Sequence, residues 1–411
     1  MIDEIKETIQ TVSKIPNRAI HQFVPALIPR DATGIHTLLL RNILREAGWR
    51  SEIFAEATHD ELIGETIRIE DYPNLSDPRD ILIYQFSTSS LVADFLAKRS
   101  EPLILNYHNI TTPELFANWD PLTQQRSLKA REQLQMLSKR TFYAIADSGF
   151  NEDDLIKAGY GKTAVVPVLF GKKHNDIVPD RVVAQRLKNA KSCGGADLIF
   201  VGRLVPSKNQ HDLIKTLWIY RKLYDPLARL HLLGSAPNRL YLNALRDFSR
   251  ELDLVDAVRI VGEVSDSSLA AYYEAADAYV SMSLHEGFAI PVVEAMRAGV
   301  PVLSLPNGAL RETVADAGLL IESGDPAHVA AALSRVLSDV VLREKLVKAG
   351  HVRADSFSFP NSASKMRSVI SNIAETLDKE SKLDFATTTR TASKDTAIDI
   401  SSVECNLDNN V

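Results

Sequence analysis

The sequence predicts an α/β protein built from two doubly wound, Rossmann-like domains that face each other across a cleft. Three observations predict it. At 411 residues the chain exceeds what one hydrophobic core organises. Short apolar runs alternate with longer amphipathic stretches, as they do when helices cover both faces of a parallel sheet. These runs fall into two sets, separated by a weakly patterned stretch at 172–195 that carries Lys172-Lys-His and Asn189-Ala-Lys-Ser-Cys-Gly-Gly195.

In the first set, Ala19–Val24, Arg50–Phe54, Asp80–Tyr84, Pro102–Asn106 and Ala144–Asp147 read as strands. Helices are expected between them, at roughly 34–47 and 122–140. In the second set, Asp197–Val201, Arg229–Leu233, Val258–Val261, Ala278–Ser281 and Pro301–Leu305 read as strands, each followed by a helix-length segment. The expected organisation is a first domain over 1–185, a second over 196–355 and a helix over 356–378. Met366, Val369, Ile370 and Ile373 recur there at helical spacing. From 381 to 411 the residues turn to Thr, Ser, Lys, Asp and Asn, the composition of a disordered tail.

Composition narrows the function classes. Apolar residues make up 45% and charged residues 24%, the balance of an ordinary globular protein. A net charge of −6 gives no electrostatic reason to expect nucleic acid as a partner. The opening Met1-Ile-Asp-Glu-Ile-Lys-Glu lacks an apolar signal region, and no run of 18 apolar residues exists. Cys193 and Cys405 do not form a metal-spaced cluster, so a reduced, cytoplasmic setting is expected.

The chemistry concentrates in Ser283-Leu-His-Glu-Gly-Phe-Ala-Ile-Pro-Val-Val-Glu-Ala-Met296. Gly287 lets the backbone turn and approach a ligand. Pro291 suits the first position of a helix ending near Ala298, with Gly299 beyond it. Glu286 then lies on the loop after a strand, and Glu294 about one turn into the helix. The N–H groups between them, around Phe288, Ala289 and Ile290, favour an anion. A carboxylate beside a phosphate is repelled unless it grips hydroxyls, and sugars supply hydroxyls. An anion site flanked by two hydroxyl acceptors suits a sugar joined to a nucleotide. The bland alternative is an amphipathic helix whose Glu residues are only solvated.

Glu286 through Glu294, followed by Arg297-Ala-Gly-Val-Pro-Val-Leu303, resembles the E-x7-E motif of retaining nucleotide-sugar glycosyltransferases, family four of the GT-B fold. The resemblance covers roughly 20–378 and is strongest from 197 to 325. It implies a metal-independent hexosyltransferase with a nucleoside diphosphate sugar as donor substrate and no cofactor. A glycan or lipid-linked acceptor is implied, in cell-surface polysaccharide or glycoconjugate synthesis. It also implies that the last helix crosses back onto the first domain. Within it, Glu286 binds hydroxyls of the transferred sugar, and Glu294 the nucleotide ribose. The leaving phosphate helps to take the acceptor's proton during front-face attack.

Val201-Gly-Arg-Leu-Val-Pro-Ser-Lys-Asn-Gln210 places Arg203 and Lys208 on a strand-end loop turned by Gly202. Two cations so placed can clamp a diphosphate and its developing charge; the alternative is a solvated cationic loop. The segment is similar to the family's G-R-x-x-x-x-K motif. His108 and Asn109 follow the strand at 102–106. A His there is often only structural, but the resemblance aligns His108 with a residue that contacts the transferred sugar. Gly34, in Pro29-Arg-Asp-Ala-Thr-Gly34, is similar to the family's first glycine-rich loop, although Thr33 stands where a second glycine is common; the alternative is a helix N-cap at Thr33. Val261-Gly-Glu-Val264 matches the backbone that meets the nucleotide base. Asn307-Gly-Ala-Leu-Arg-Glu312 resembles a late loop in which Glu312 either binds at the active site or supports the loop, with Arg311 in place of the usual Pro.

Gly159-Tyr-Gly-Lys-Thr-Ala164 fits a dinucleotide spacing but follows a helix and precedes a strand, the reverse of such a site. No D-x-D triplet occurs, so no metal is expected. The basic amphipathic stretch 122–140, with Arg126, Lys129, Arg131, Lys139 and Arg140, reads as a surface helix or as a peripheral membrane contact at the inner face. Rival readings on the same fold are a nucleotide-sugar epimerase, a sugar phosphorylase and a non-catalytic partner subunit. The four charges at 203, 208, 286 and 294 argue against the last.

Overall fold

A computed structural model describes residues 18–171 and 177–395, with side chains to 380. The first sheet comprises β1 (Ile20–Leu27), β2 (Ile53–Thr58), β3 (Ile67–Arg68), β4 (Ile81–Phe86), β5 (Leu103–Tyr107), β6 (Thr141–Ala146) and β7 (Thr163–Val165). Its strand order is β3-β2-β1-β4-β5-β6-β7, and every pairing is parallel. The second contains β8 (Asp197–Val201), β9 (Arg229–Leu233), β10 (Val258–Gly262), β11 (Ala278–Ser281), β12 (Val302–Ser304) and β13 (Leu319–Leu320), in the order β10-β9-β8-β11-β12-β13. Both are doubly wound. The order reverses beside β1 in one and beside β8 in the other, which opens a crevice at the strands' carboxyl ends.

Alternation along the strands explains why they read as continuous apolar runs. Leu198 and Phe200 of β8 enter one core cluster with Leu230, Leu232 and Val280. Ile199 enters another on the opposite face with Tyr279, Val292 and Val302. A strand covered on both faces needs apolar residues at every position. The same holds in the first domain, where Phe23 and Val24 point into separate clusters.

Helices fall close to expectation at Ala32–Glu46 and Pro121–Ser138. The helix after β11 runs Ile290–Arg297, with Pro291 in its first turn and Gly299 beyond it at φ +74°. The helix Ala32–Glu46 is capped by Asp31, whose carboxylate accepts from Gly34 N at 3.1 Å, and not by Thr33. An aspartate two residues earlier lets the helix begin two residues sooner. The short edge strands β3 and β13 were not expected. Among the described residues no helix is long and apolar enough to cross a membrane.

The last helix runs Phe359–Asp395, and from Lys365 onward it belongs to a second compact unit. Of the residues expected on its buried face, Met366, Ile370 and Ile373 are buried, Val369 is half-buried, and Leu377 joins them. The expected tail at 381–411 falls partly on this helix's backbone and, from 396, outside the described residues, as does Lys172-Lys-His.

Candidate functional site

Most of the expected site residues of the second domain gather at the carboxyl ends of β8 and β11. Past β8, a short helical turn over Pro206–Lys208 ends at Asn209, which is left-handed at φ +55°. Ser207 O accepts from Leu284 N at 2.9 Å, tying this turn to the loop after β11. Lys208 Nζ consequently lies 2.6 Å from Glu286 Oε1 and donates to His285 O at 3.3 Å. The two charged side chains are only 17% and 14% exposed, so the pair is held in a partly desolvated pocket where Coulomb attraction is strengthened. Arg203 is exposed, and its main-chain carbonyl is fixed by Gln210 Nε2 at 2.9 Å.

Glu286 is braced from behind. Gly308 has φ +60°, and a Cβ there would meet Glu286 O at 2.4 Å. Ala309 N donates to Glu286 O at 2.9 Å, and Asn307 Nδ2 to Ser283 O at 3.0 Å. Beyond Glu286, Ala289 takes a left-handed conformation (φ +71°, ψ +62°) unusual for a residue with a Cβ, and no side chain caps the helix it opens. The helix start is open to an anion. Phe288 is buried, with its carbonyl accepting from Thr313 Oγ1 at 2.7 Å. Glu294 Oε2 accepts from the Tyr273 hydroxyl at 3.0 Å, and burial pushes that phenol well above its ordinary range. Gly202 and Val264 lie on the adjoining loops, with Gly202 N bonded to Leu233 O at 2.9 Å.

From the first domain, His108 projects after β5. Its Nδ1 lies 2.8 Å from Asp147 Oδ2 and its Nε2 2.7 Å from Gln85 Oε1, and the side chain is 4% exposed. Gln85 also joins Gln22 and Asn106 in a buried polar chain. Gly34 sits where a Cβ would meet Ile28 O at 2.6 Å, so a close backbone approach requires glycine.

The domains meet beside Glu286. His285 Nε2 lies 2.5 Å from Asn109 Oδ1, and its Nδ1 3.2 Å from Thr112 Oγ1. Gly287 O accepts from Ser148 Oγ at 2.8 Å, and a Cβ on Gly287 would stand 2.5 Å from that of Asn109. Asn109 takes φ +76°, which asparagine tolerates better than most residues. The Glu312 carboxylate crosses to the first domain and accepts from Gly149 N and Phe150 N, each at 2.9 Å. Sequence reasoning missed Ser148, Asn151 and His285, since only their packing across the chain gives them a role.

The hydrogen bonds around His285 make its Nε2 a donor. Asn151 Nδ2 faces Tyr107 O, so Asn151 Oδ1 accepts from Asn109 Nδ2 at 2.6 Å, and Asn109 Oδ1 is left to accept from the ring. Burial, then the nearby Lys208 and Arg131, pull the ring down to about 4, against Glu286 and Asp154. The unfolded ring titrates near 6.5. Its contribution to stability is therefore complete above that value and is lost as pH falls toward about 4. Urea unfolding at pH 7.5 and pH 5.0 should show about 2 kcal/mol lost through this ring. His285→Gln should flatten that difference; equal pH dependence in both proteins would refute it. His36, buried against His108 and shifted downward, adds in the same direction.

Among the described residues no group of three or more His, Cys, Asp and Glu forms a metal-holding set. Residues 184–353 match the family model described as glycosyl transferases group 1. The D-inositol 3-phosphate glycosyltransferase of Geodermatophilus obscurus is 30% identical over 288 residues, covering 67% of this chain and 62% of that protein. That of Thermomonospora curvata is 35% identical over 164 residues, 38% of each. The phosphatidyl-myo-inositol mannosyltransferase of Mycobacterium leprae is 31% identical over 206 residues, 48% of this chain and 53% of that one. The chain thus spans between 38% and 62% of the length of these relatives. Anabaena HepE, solved with UDP and glucose, superposes with a TM-score of 0.68 at 19% identity over 86% of this chain and 100% of its own. WaaG, a glycosyltransferase involved in lipopolysaccharide biosynthesis, superposes with a TM-score of 0.64 at 14% identity over 85% of this chain and 99% of its own. In fold the chain is GT-B, and over 184–353 its sequence is that matched by the group 1 glycosyl transferases.

Proposed function

We propose that the protein transfers a hexose from a nucleoside diphosphate sugar to a glycan or lipid-linked acceptor, with retention and without a metal, in cell-surface polysaccharide or glycoconjugate synthesis. The observation that carries this reading is the Lys208–Glu286 pair at 2.6 Å beside the uncapped helix start at Ile290. An ammonium and an anion-binding helix end suit a diphosphate, and the adjoining carboxylate suits sugar hydroxyls.

In this reading Arg203, Lys208 and the N–H groups near Phe288, Ala289 and Ile290 hold the diphosphate. Glu286 accepts from hydroxyls of the transferred sugar, and Glu294 from those of the ribose. The bond between the anomeric carbon and the diphosphate oxygen breaks. The acceptor oxygen bonds on the same face, and its proton passes to the leaving phosphate. Negative charge grows on the diphosphate as the bond breaks, so cations placed there stabilise the transition state more than the ground state. His108 reaches a sugar hydroxyl by exchanging its contact with Gln85. The names of the relatives add inositol phosphates and inositol lipids to the acceptor classes worth testing.

Peripheral contact with an anionic membrane, from the cytoplasmic side, belongs to the same reading. Along Pro121–Ser138, Leu122, Leu128 and Met136 are exposed near Arg126 and Lys129, while Leu134 and Leu137 are core residues.

A screen of nucleoside diphosphate hexoses, scored for nucleotide release with and without chelator, tests the proposal. One donor is expected to be consumed in the presence of an acceptor, at a rate that chelator leaves within about twofold, because fixed cations already stand at the diphosphate. Release from none of the donors would reject glycosyl transfer. Loss of activity to chelator with rescue by a divalent ion would reject the metal-free part alone.

A further inference from the structure

We propose that Glu312 is a positioning residue whose carboxylate docks the first domain onto the two residues flanking Glu286, so that this catalytic carboxylate is placed only when the domains close. The proposal deepens the function above and rests on it.

The start of the first-domain helix Gly149–Lys157 carries the argument. A helix start leaves its first N–H groups without partners. Here Ser148 Oγ accepts from Asn151 N at 3.2 Å, and Ser148 O from Glu152 N at 3.0 Å. The remaining two, Gly149 N and Phe150 N, both go to Glu312 of the other domain. Two of the N–H groups at this helix start are therefore satisfied only across the domain seam. A carboxylate at a helix start also gains from the helix dipole and from charge-assisted hydrogen bonds.

Other interdomain contacts fall on either side of Glu286, apart from a separate one in which Asn238 Nδ2 donates to Trp119 O at 2.8 Å. Ser148, the residue capping the same helix, donates to Gly287 O, and His285 meets Asn109 and Thr112. Glu312 is in turn fixed to the donor side. Arg353 donates to Glu312 O and, at 3.2 Å, to Thr313 O, while Thr313 Oγ1 holds Phe288 O. The short helix Leu310–Val314 that carries Glu312 follows a turn in which Asn307 holds Ser283 O, Gly308 packs against the Glu286 backbone and Ala309 N donates to Glu286 O. Opening the domains would release residues 285 and 287 together. A closed seam there keeps water from a donor whose sugar–phosphate bond is being broken.

The test uses the full chain with Glu312→Ala and Glu312→Gln. In the alanine variant, kcat for transfer should fall about tenfold, as expected for loss of roughly 1.4 kcal/mol of charge-assisted bonding, with donor KM within about twofold. The share of donor lost to hydrolysis should rise. Glutamine, which keeps one acceptor oxygen, should recover part of kcat. Hydrogen exchange should quicken in peptides covering 107–112 and 285–287, contacts that Glu312 does not itself make, with the melting temperature little changed. Unchanged exchange in those peptides would overturn the proposal. So would uniformly faster exchange in both domains with a lowered melt, the mark of a merely structural role. The exchange measurement needs no donor, so it decides the role of Glu312 even if no nucleotide sugar is consumed by the wild type.

Discussion

Glu286→Gln and Lys208→Ala should each slow sugar transfer by ~10²–10³ at saturating donor, the usual effect of removing one charged contact to a transition state. Both side chains stand on loops at strand ends, so truncation opens no cavity in either sheet's core. They are ion-paired at 2.6 Å and mostly shielded, however, so removing one leaves the other as a partly buried, unpaired charge. Each single variant should lose roughly 1–2 kcal/mol of stability for that reason. The double variant Glu286→Gln/Lys208→Met should regain most of that stability while remaining inactive. This separates folding from chemistry. Activity within about threefold of wild type in both single variants would remove the pair from the mechanism.

The second large effect is expected at Gly308, which touches no substrate in the proposed mechanism. Its φ of +60° is costly for any residue with a Cβ, and that Cβ would stand 2.4 Å from Glu286 O and 2.9 Å from Glu286 N. The obstacle is backbone, which cannot rotate aside. Gly308→Ala should therefore cost about 2–4 kcal/mol of stability, combining left-handed strain with overpacking. The variant that folds should also lose transfer by ~10-fold or more, because a displacement near 1 Å misplaces the carboxylate. Thermal melts and donor turnover report the two effects. A variant with wild-type melt and turnover would show that the loop at 307–309 does not set the position of Glu286.

Legibility in the sequence followed the range of the interactions involved. Strands β8, β9 and β11 were readable to the residue, since each is a short apolar run covered on both faces. β2 was read about three residues early, because Arg50-Ser-Glu leads into it and Glu56 interrupts its end. β3 and β13 are two residues each, too short to show any periodicity. The helix at Ile290–Arg297 was legible from Pro291 and Gly299, whose backbone preferences are local. The neighbourhood of Glu286 with Lys208 was anticipated, but their direct ion pair was not. Partners for Glu312, His285 and Ser148 lie more than a hundred residues away, and no local pattern encodes such contacts. His108 shows the same limit: its place after a strand was readable, while its buried bonds to Asp147 and Gln85 depend on three strands meeting in register.

Much of what the second domain grips on the first is main chain. Glu312 is received by the peptide N–H groups of Gly149 and Phe150, which any sequence able to begin a helix would offer. Beyond Gly149, where a Cβ would stand 3.1 Å from Glu312 Oε2, the side chains of that helix can consequently change without disturbing its reception of Glu312. The first domain could then be exchanged between proteins as a cassette, provided the graft retains a serine before the helix and an asparagine after the fifth strand. On the function proposed above, such chimaeras would pair one donor-handling half with many acceptor-handling halves, giving an engineer a joint at which new glycosidic linkages could be assembled from existing parts.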